Sequence, residues 1–167
     1  GVAIQSTRGW MLHAGDAYIG DLFFNQYFGA AEFQLMSAIG FDAMTVGNHE
    51  FDLYPSTLLA ALQASQPAFP LLTANVNFDD SSIADIKKYI QPYTIKDFGT
   101  IKVGIFGLTA PEAQYFSNPY PAVVSEEVAG AAVAMVNTLA AENCDVILCL
   151  SHLGYKVDRV LAENIPG

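Results

Sequence analysis

Positive charge is what this sequence has least of. Its 167 residues carry 7 lysines and arginines against 17 aspartates and glutamates, a formal net charge of −10. The arginines are Arg8 and Arg159; the lysines are Lys87, Lys88, Lys96, Lys102 and Lys156, and only the first two are neighbours. A nucleic-acid strand is held by clustered lysine and arginine, so a nucleic-acid polymer is excluded as a partner. Charge of either sign is scarce: 14% of residues are charged, against about 25% in an average soluble domain, and 52% are hydrophobic. That balance predicts an apolar face which something else covers. No run approaches the ~20 consecutive apolar residues of a membrane span. The Ala- and Val-rich stretch 128–141 is interrupted by Asn137. Internal repeats, low-complexity runs and Gly/Ser linkers are absent too, and the length suits one domain with a real core.

Cysteine is nearly absent. Cys144 and Cys149 flank one predicted strand, which would hold them about 16 Å apart at ~3.3 Å per residue. A disulfide tolerates about 7 Å between Cα atoms, so the two do not pair. Cys149 reads as a small buried hydrophobe and Cys144 as a strand-entry residue.

What is present alternates between strand-like and helix-like patterns, the mark of an α/β domain. Strands are predicted near 10–14, 42–46, 69–74, 101–108 and 145–150. A hairpin joins 93–98 to 101–108 through Gly99-Thr100, which makes the sheet structure mixed. Helices are predicted over 31–39, closed by Gly40 as a left-handed cap, and over 56–64 after Pro55. A third covers 126–142, with Ser125 as its cap and Glu126 and Glu127 favouring its N-terminus; a fourth starts near 157.

Polar residues gather where three of these strands end. Thr45-Val46-Gly47-Asn48-His49-Glu50-Phe51-Asp52 places an amide, an imidazole and a carboxylate on adjacent residues. A hydrophobic core has no use for three such groups, because each would need a partner to offset its lost hydration. Trp10-Met11-Leu12-His13-Ala14 closes on Gly15-Asp16, and 145–150 closes on Ser151-His152-Leu153-Gly154. Ligands bind beyond the carboxyl ends of strands in α/β sheets, so these ends are expected to converge. Asp16, Asn48 and His152 then form an O,O,N donor set suited to Mn, Zn, Mg or Fe, with positions left for water and substrate.

In this order, Gly-Asp, Gly-Asn-His-Glu and Ser-His-x-Gly resemble the motifs of the calcineurin-like metallophosphoesterases. The continuation Glu50-Phe51-Asp52, together with Ala74-Asn75 and the tail Ile165-Pro166-Gly167, is similar to the 5′-nucleotidase branch. The resemblance implies an α/β sandwich of two mixed β-sheets flanked by helices (αββα). It also implies two divalent metal ions (Mn, Zn, Mg, Fe or Ca), a nucleotide or other small phosphoester as substrate, and a periplasmic, cell-surface or secreted location. Asp16 would bridge the metals, Asn48 and His152 would bind one of them, and His49, oriented by Asp52, would be the catalytic imidazole. Cyclic-nucleotide phosphodiesterase and sulfur-ester hydrolase chemistry belong to the same superfamily, and a pseudoenzyme or binding domain is the non-enzyme alternative.

The sequence also departs from the family. The upstream Asp-x-His and the downstream Gly-His-x-His are absent, and Leu53-Tyr54-Pro55 stands where many members have a glycine. Residues 1–167 are therefore expected to be part of an N-terminal metallophosphoesterase domain. By itself that part is expected to be inactive, with the partner C-terminal domain supplying phosphate-binding arginines. Other polar residues have plainer readings: His13 packs in a strand, Glu50 braces the turn through backbone hydrogen bonds, Asp21 is a turn or cap residue, and Asp79-Asp80 lie on the surface. Phe23, Phe24, Tyr27 and Phe28 read as core or interface.

Overall fold

Alternating apolar positions sort the strands into layers. The computed structural model describes residues 9–18 and 22–165. One sheet is parallel throughout, in the order β1 (Leu12–His13), β2 (Ala43–Thr45), β3 (Leu71–Leu72), β5 (Ile90–Gln91). In a second, mixed sheet β6 (Tyr93–Asp97) runs antiparallel to β7 (Lys102–Leu108), and β7 runs parallel to β9 (Val146–Ser151). A small ribbon pairs β4 (Val76–Asn77) with β8 (Val123–Val124).

Successive strand side chains face opposite ways, so each strand feeds two layers. Ala43 and Leu72 meet Val103, Ile105, Leu148 and Leu150 between the sheets. Met44 and Leu71 face the other way, onto Phe33 and Met36 of α2 (Ala30–Ile39) and Leu58 and Leu62 of α3 (Tyr54–Ser65). On the far side, Phe106 and Leu108 pack with Ala132 and Leu139 of α5 (Val128–Ala141) and Leu161 of α6 (Tyr155–Asn164). The result is the expected helix–sheet–sheet–helix order.

The predicted strands are all found, mostly shorter than expected: 10–14 contracts to Leu12–His13 and 69–74 to Leu71–Leu72. The hairpin is present, with Tyr93 opposite Phe106. Gly40 caps α2 at φ 93°, its N–H donating to the Met36 carbonyl at 3.0 Å. Two readings need correction. Ser125 does not cap α5: its hydroxyl accepts from the Glu127 N–H at 3.1 Å, closing a turn before the helix starts. Cys149 is exposed, because its face of β9 opens on a hollow of about 580 Å³ that α6 only partly roofs. Both cysteines are free thiols.

Some elements had no clear signal, among them α1 (Leu22–Tyr27) and α4 (Ala113–Phe116). Of the aromatics in and just after α1, Phe24 packs on the core, while Phe23, Tyr27 and Phe28 stay about half exposed. Asp21 lies outside the described residues. Asp79 and Asp80 are exposed as expected, Asp79 in an ion pair with Lys87. No helix among the described residues is long and apolar enough to cross a membrane.

A buried polar network joins the strand ends of the two sheets. Asn75, 4% exposed, accepts from the Thr109 N–H at 2.8 Å and donates to the Thr109 carbonyl at 2.8 Å. The Thr109 hydroxyl lies 2.8 Å from that of Thr73 and donates to the Val46 carbonyl at 2.7 Å. Asn75→Ala would leave both backbone groups of Thr109 buried without these partners. It is expected to lower stability by about 2–6 kcal/mol, at ~1–3 kcal/mol for each unsatisfied group, read as a shift in the denaturant midpoint.

Candidate functional site

Two loops, one after β1 and one after β2, are locked together before any functional side chain is placed. The Glu50 carboxylate, 1% exposed, does the locking. Its Oε2 accepts from the Asp16 N–H at 3.0 Å and the Gly47 N–H at 2.6 Å, and its Oε1 accepts from the Ala17 N–H at 2.7 Å. Burial pushes the Glu50 pKa up, while these hydrogen bonds pull against that shift. The bracing role expected of Glu50 is therefore what the structure contains.

The loops touch so closely that side chains are excluded between them. A Cβ on Gly47 would stand 2.2 Å from Asp16 Oδ1, and one on Gly15 would stand 2.7 Å from His152 Nδ1. Asp16 itself sits at φ 61°, a left-handed conformation that a non-glycine residue holds only when its surroundings fix it. The paired N–H groups of Asp16 and Ala17 on Glu50 supply that fixing.

Asp16, Asn48 and His152 converge. His152 Nε2 lies 3.1 Å from Asp16 Oδ2 and 3.2 Å from Asn48 Oδ1. The third strand end comes from the second sheet, so the cluster bridges the two sheets instead of lining one. His152 is anchored through its N–H to the Leu108 carbonyl at 2.9 Å, and the preceding Ser151 donates to Asp158 at 2.5 Å.

The ring of His152 links the members of this cluster. Nδ1 lies 2.6 Å from the Ala14 carbonyl oxygen, which only accepts, so Nδ1 carries a proton. Nε2 faces the oxygens of Asp16 and Asn48, contacts that a proton on Nε2 satisfies and that a metal ion between the three atoms would satisfy equally. Donor atoms at ~2.1 Å from one first-row ion, set at right angles, stand ~3.0 Å apart. The separations of 3.1 and 3.2 Å fit that spacing. Without a metal, the hydrogen bond to Asp16 raises the His152 pKa. Burial pushes the Asp16 carboxyl up, but the bonds from His152 and the His49 N–H outweigh it and hold it low. Among the described residues no three His, Cys, Asp or Glu side chains form a metal-holding group.

Beside the cluster, residues 49–51 form a single 3₁₀ turn. Its i to i+3 spacing stacks His49 over Asp52, with Nδ1 2.6 Å from Oδ2. The hydrogen bond to Asp52 raises the His49 pKa. The His49 backbone N–H reaches Asp16 Oδ1 at 3.1 Å, which ties the imidazole's turn to the donor cluster. Asn48 and His152 line an open cleft of about 430 Å³ together with Ala14, Glu112 and Gly154. A larger groove of about 650 Å³, between the β4–β8 ribbon and α5, is lined by none of the five residues singled out as ligands or catalysts.

His13 packs edge-on against Phe41, with ring centroids 5.8 Å apart, and burial lowers its pKa. Its packing is as expected, but its Nδ1 is buried without a hydrogen-bond partner. Sequence reasoning missed Ser117 and Asn118, which lie 65 and 66 residues beyond Asp52 and bond to it. A Ser-Asn-Pro turn after a short helix carries no signal of such a contact.

No protein-family profile matches the sequence. The chain is 36% identical over 157 residues to the 5′-nucleotidase of Bos taurus, covering 94% of this chain and 27% of that protein. It is 35% identical to a snake venom 5′-nucleotidase of Gloydius brevicauda, again over 94% of the chain and 26% of the relative. Among solved structures, a 5′-nucleotidase precursor from Thermus thermophilus superimposes with a TM-score of 0.85 at 36% identity, covering 95% of this chain and 30% of that one. The chain thus spans little more than a quarter of the curated relatives it matches.

Glu50→Gln is expected to lower stability by about 2–4 kcal/mol, since an amide NH₂ turned toward backbone N–H donors leaves at least one of them unpaired in the interior. Chemical denaturation measures the loss, and a variant as stable as the parent would show that the loops are held by something else.

Proposed function

Because this chain belongs to the 5′-nucleotidase branch of the calcineurin-like metallophosphoesterases, we propose that it forms the metal-binding part of an enzyme that hydrolyses nucleoside 5′-monophosphates. The observation that carries the reading is the convergence of Asp16, Asn48 and His152 on one point, with the His49–Asp52 pair alongside. Asp16, Asn48 and His152 would hold a divalent ion. When bound, such ions neutralise phosphoryl oxygens and acidify water.

The chain's own groups do the rest. Asp52 keeps the proton of the His49 imidazole on Nδ1, so that Nε2 is directed outward. His49 stabilises charge on the departing ester oxygen or delivers a proton to it, as an imidazole of raised pKa is suited to do. The Glu50 lock holds Asp16 and Asn48 in one arrangement, so that little reorganisation is needed when charge develops.

A further domain completes the site in this reading. The only arginine among the described residues, Arg159, lies on α6 and pairs with Glu163 at 3.6 Å. In this reading that domain supplies the phosphate-binding arginines. Tyr115, Phe116 and Tyr120 are 70%, 81% and 79% exposed around the turn that contacts Asp52, an apolar rim fitted to a covering domain or a nucleobase. The snake venom relative supports a location outside the cytoplasm.

In the full-length protein, His49→Ala is expected to lower kcat by about 10²–10⁴-fold with metal content retained, whereas Asn48→Ala depletes metal. Phosphate release from a panel of nucleotides, alongside elemental analysis, reads both. Equal metal loss in the two variants would overturn the roles, and no phosphate release by the parent protein would overturn the function.

A further inference from the structure

Asp52 uses both carboxylate oxygens, and only one of them faces His49. Oδ2 is 2.6 Å from His49 Nδ1, while Oδ1 accepts from the Ser117 hydroxyl at 2.9 Å. Ser117 closes α4, its own N–H donating to the Ala113 carbonyl at 3.1 Å. The next residue latches the same turn twice more: Asn118 Nδ2 donates to the Asp52 carbonyl at 2.9 Å, and the Asn118 N–H donates to the Phe51 carbonyl at 3.1 Å.

A carboxylate held at one oxygen still rotates about its Cβ–Cγ bond. Held at both, it has one orientation. From this geometry we infer that Ser117 is a positioning residue: its hydroxyl fixes the Asp52 carboxylate so that the His49 ring keeps a single tautomer and direction. The two Asn118 bonds hold the backbone of the turn, and the Ser117 hydroxyl holds the carboxylate at the oxygen that does not face His49. Its removal is therefore felt at the imidazole more than in the fold.

The inference rests on the catalytic role proposed for His49, and its test separates the two. In the full-length protein, Ser117→Ala is expected to lower kcat on a nucleoside monophosphate about tenfold with KM little changed, the share of a hydrogen bond to a charged group that acts in the transition state. Ser117→Thr, which keeps the hydroxyl, is expected to restore most of the loss. In an Asp52→Ala background the Ser117→Ala change is expected to have no further effect, because a residue acting through Asp52 loses its route. An additive loss in that background would overturn the inference, and so would a Thr variant as impaired as Ala. Nitrogen-15 spectra of the His49 ring give a readout that needs no turnover. Parent protein is expected to show a proton held on Nδ1, and Ser117→Ala a shift toward mixed tautomers. Identical ring spectra in the two would overturn the inference even in an active enzyme. Conversely, the spectral shift in a protein that releases no phosphate would uphold it while the proposed function falls.

Discussion

The site depends on one buried carboxylate. Glu50 collects N–H groups from two loops that are 33 and 34 residues away and 3 residues away in sequence. Backbone N–H groups at the ends of parallel strands have no ladder partner, and burying them unpaired would be costly. Glu50 satisfies three at once, in a geometry that forces Asp16 into its left-handed conformation and brings Gly47 against it. The glycines at 15 and 47 follow from that lock, since a Cβ at either would occupy the space of a donor-cluster residue. Asp16 and Asn48 owe their proximity to a residue that itself points away from the cleft.

The second constraint is how closely the two sheets approach at the same end. A Cβ on Gly107 of β7 would stand 2.3 Å from the Leu72 carbonyl of β3. Where backbones approach this closely there is no room for apolar side chains, and the layer between the sheets gives way to hydroxyl and amide groups. Thr45, Thr73, Asn75 and Thr109 fill it and pair with one another or with backbone. This polar seam fixes the second sheet's strand ends against the first, and with them the position of His152. A cluster drawn from two sheets needs such a seam, because packing of apolar layers alone tolerates sliding.

The third element is the turn of Asn48 to Asp52, where chemistry is concentrated in five residues. A single 3₁₀ turn sets His49 over Asp52 by local geometry. Its orientation relative to the cluster is set from outside, by Asp16 at the His49 N–H and by Ser117 and Asn118 at Asp52. The turn is thus held by these polar contacts and by Phe51, which is fully buried in the core beneath it.

Much of this was legible in the sequence, for reasons that are local. Strand and helix positions followed from side-chain periodicity, the Gly40 cap from the conformational freedom of glycine, and the His49–Asp52 pair from an i to i+3 spacing that any helical turn realises. Polar groups at three strand ends announced a site because a core would not tolerate them. The misreadings fell where locality ends. Ser125 had the right residue type for a cap, but a turn took its hydroxyl. Cys149 lay on an apolar strand, but the face it occupies is left partly uncovered by α6. What only the tertiary structure decided are other contacts between segments distant in the chain: Glu50 to the loop after β1, Asn75 to Thr109, and Ser117 to Asp52. No spacing rule encodes these, since each is set by the relative placement of packed layers and not by the path of the backbone between the two residues.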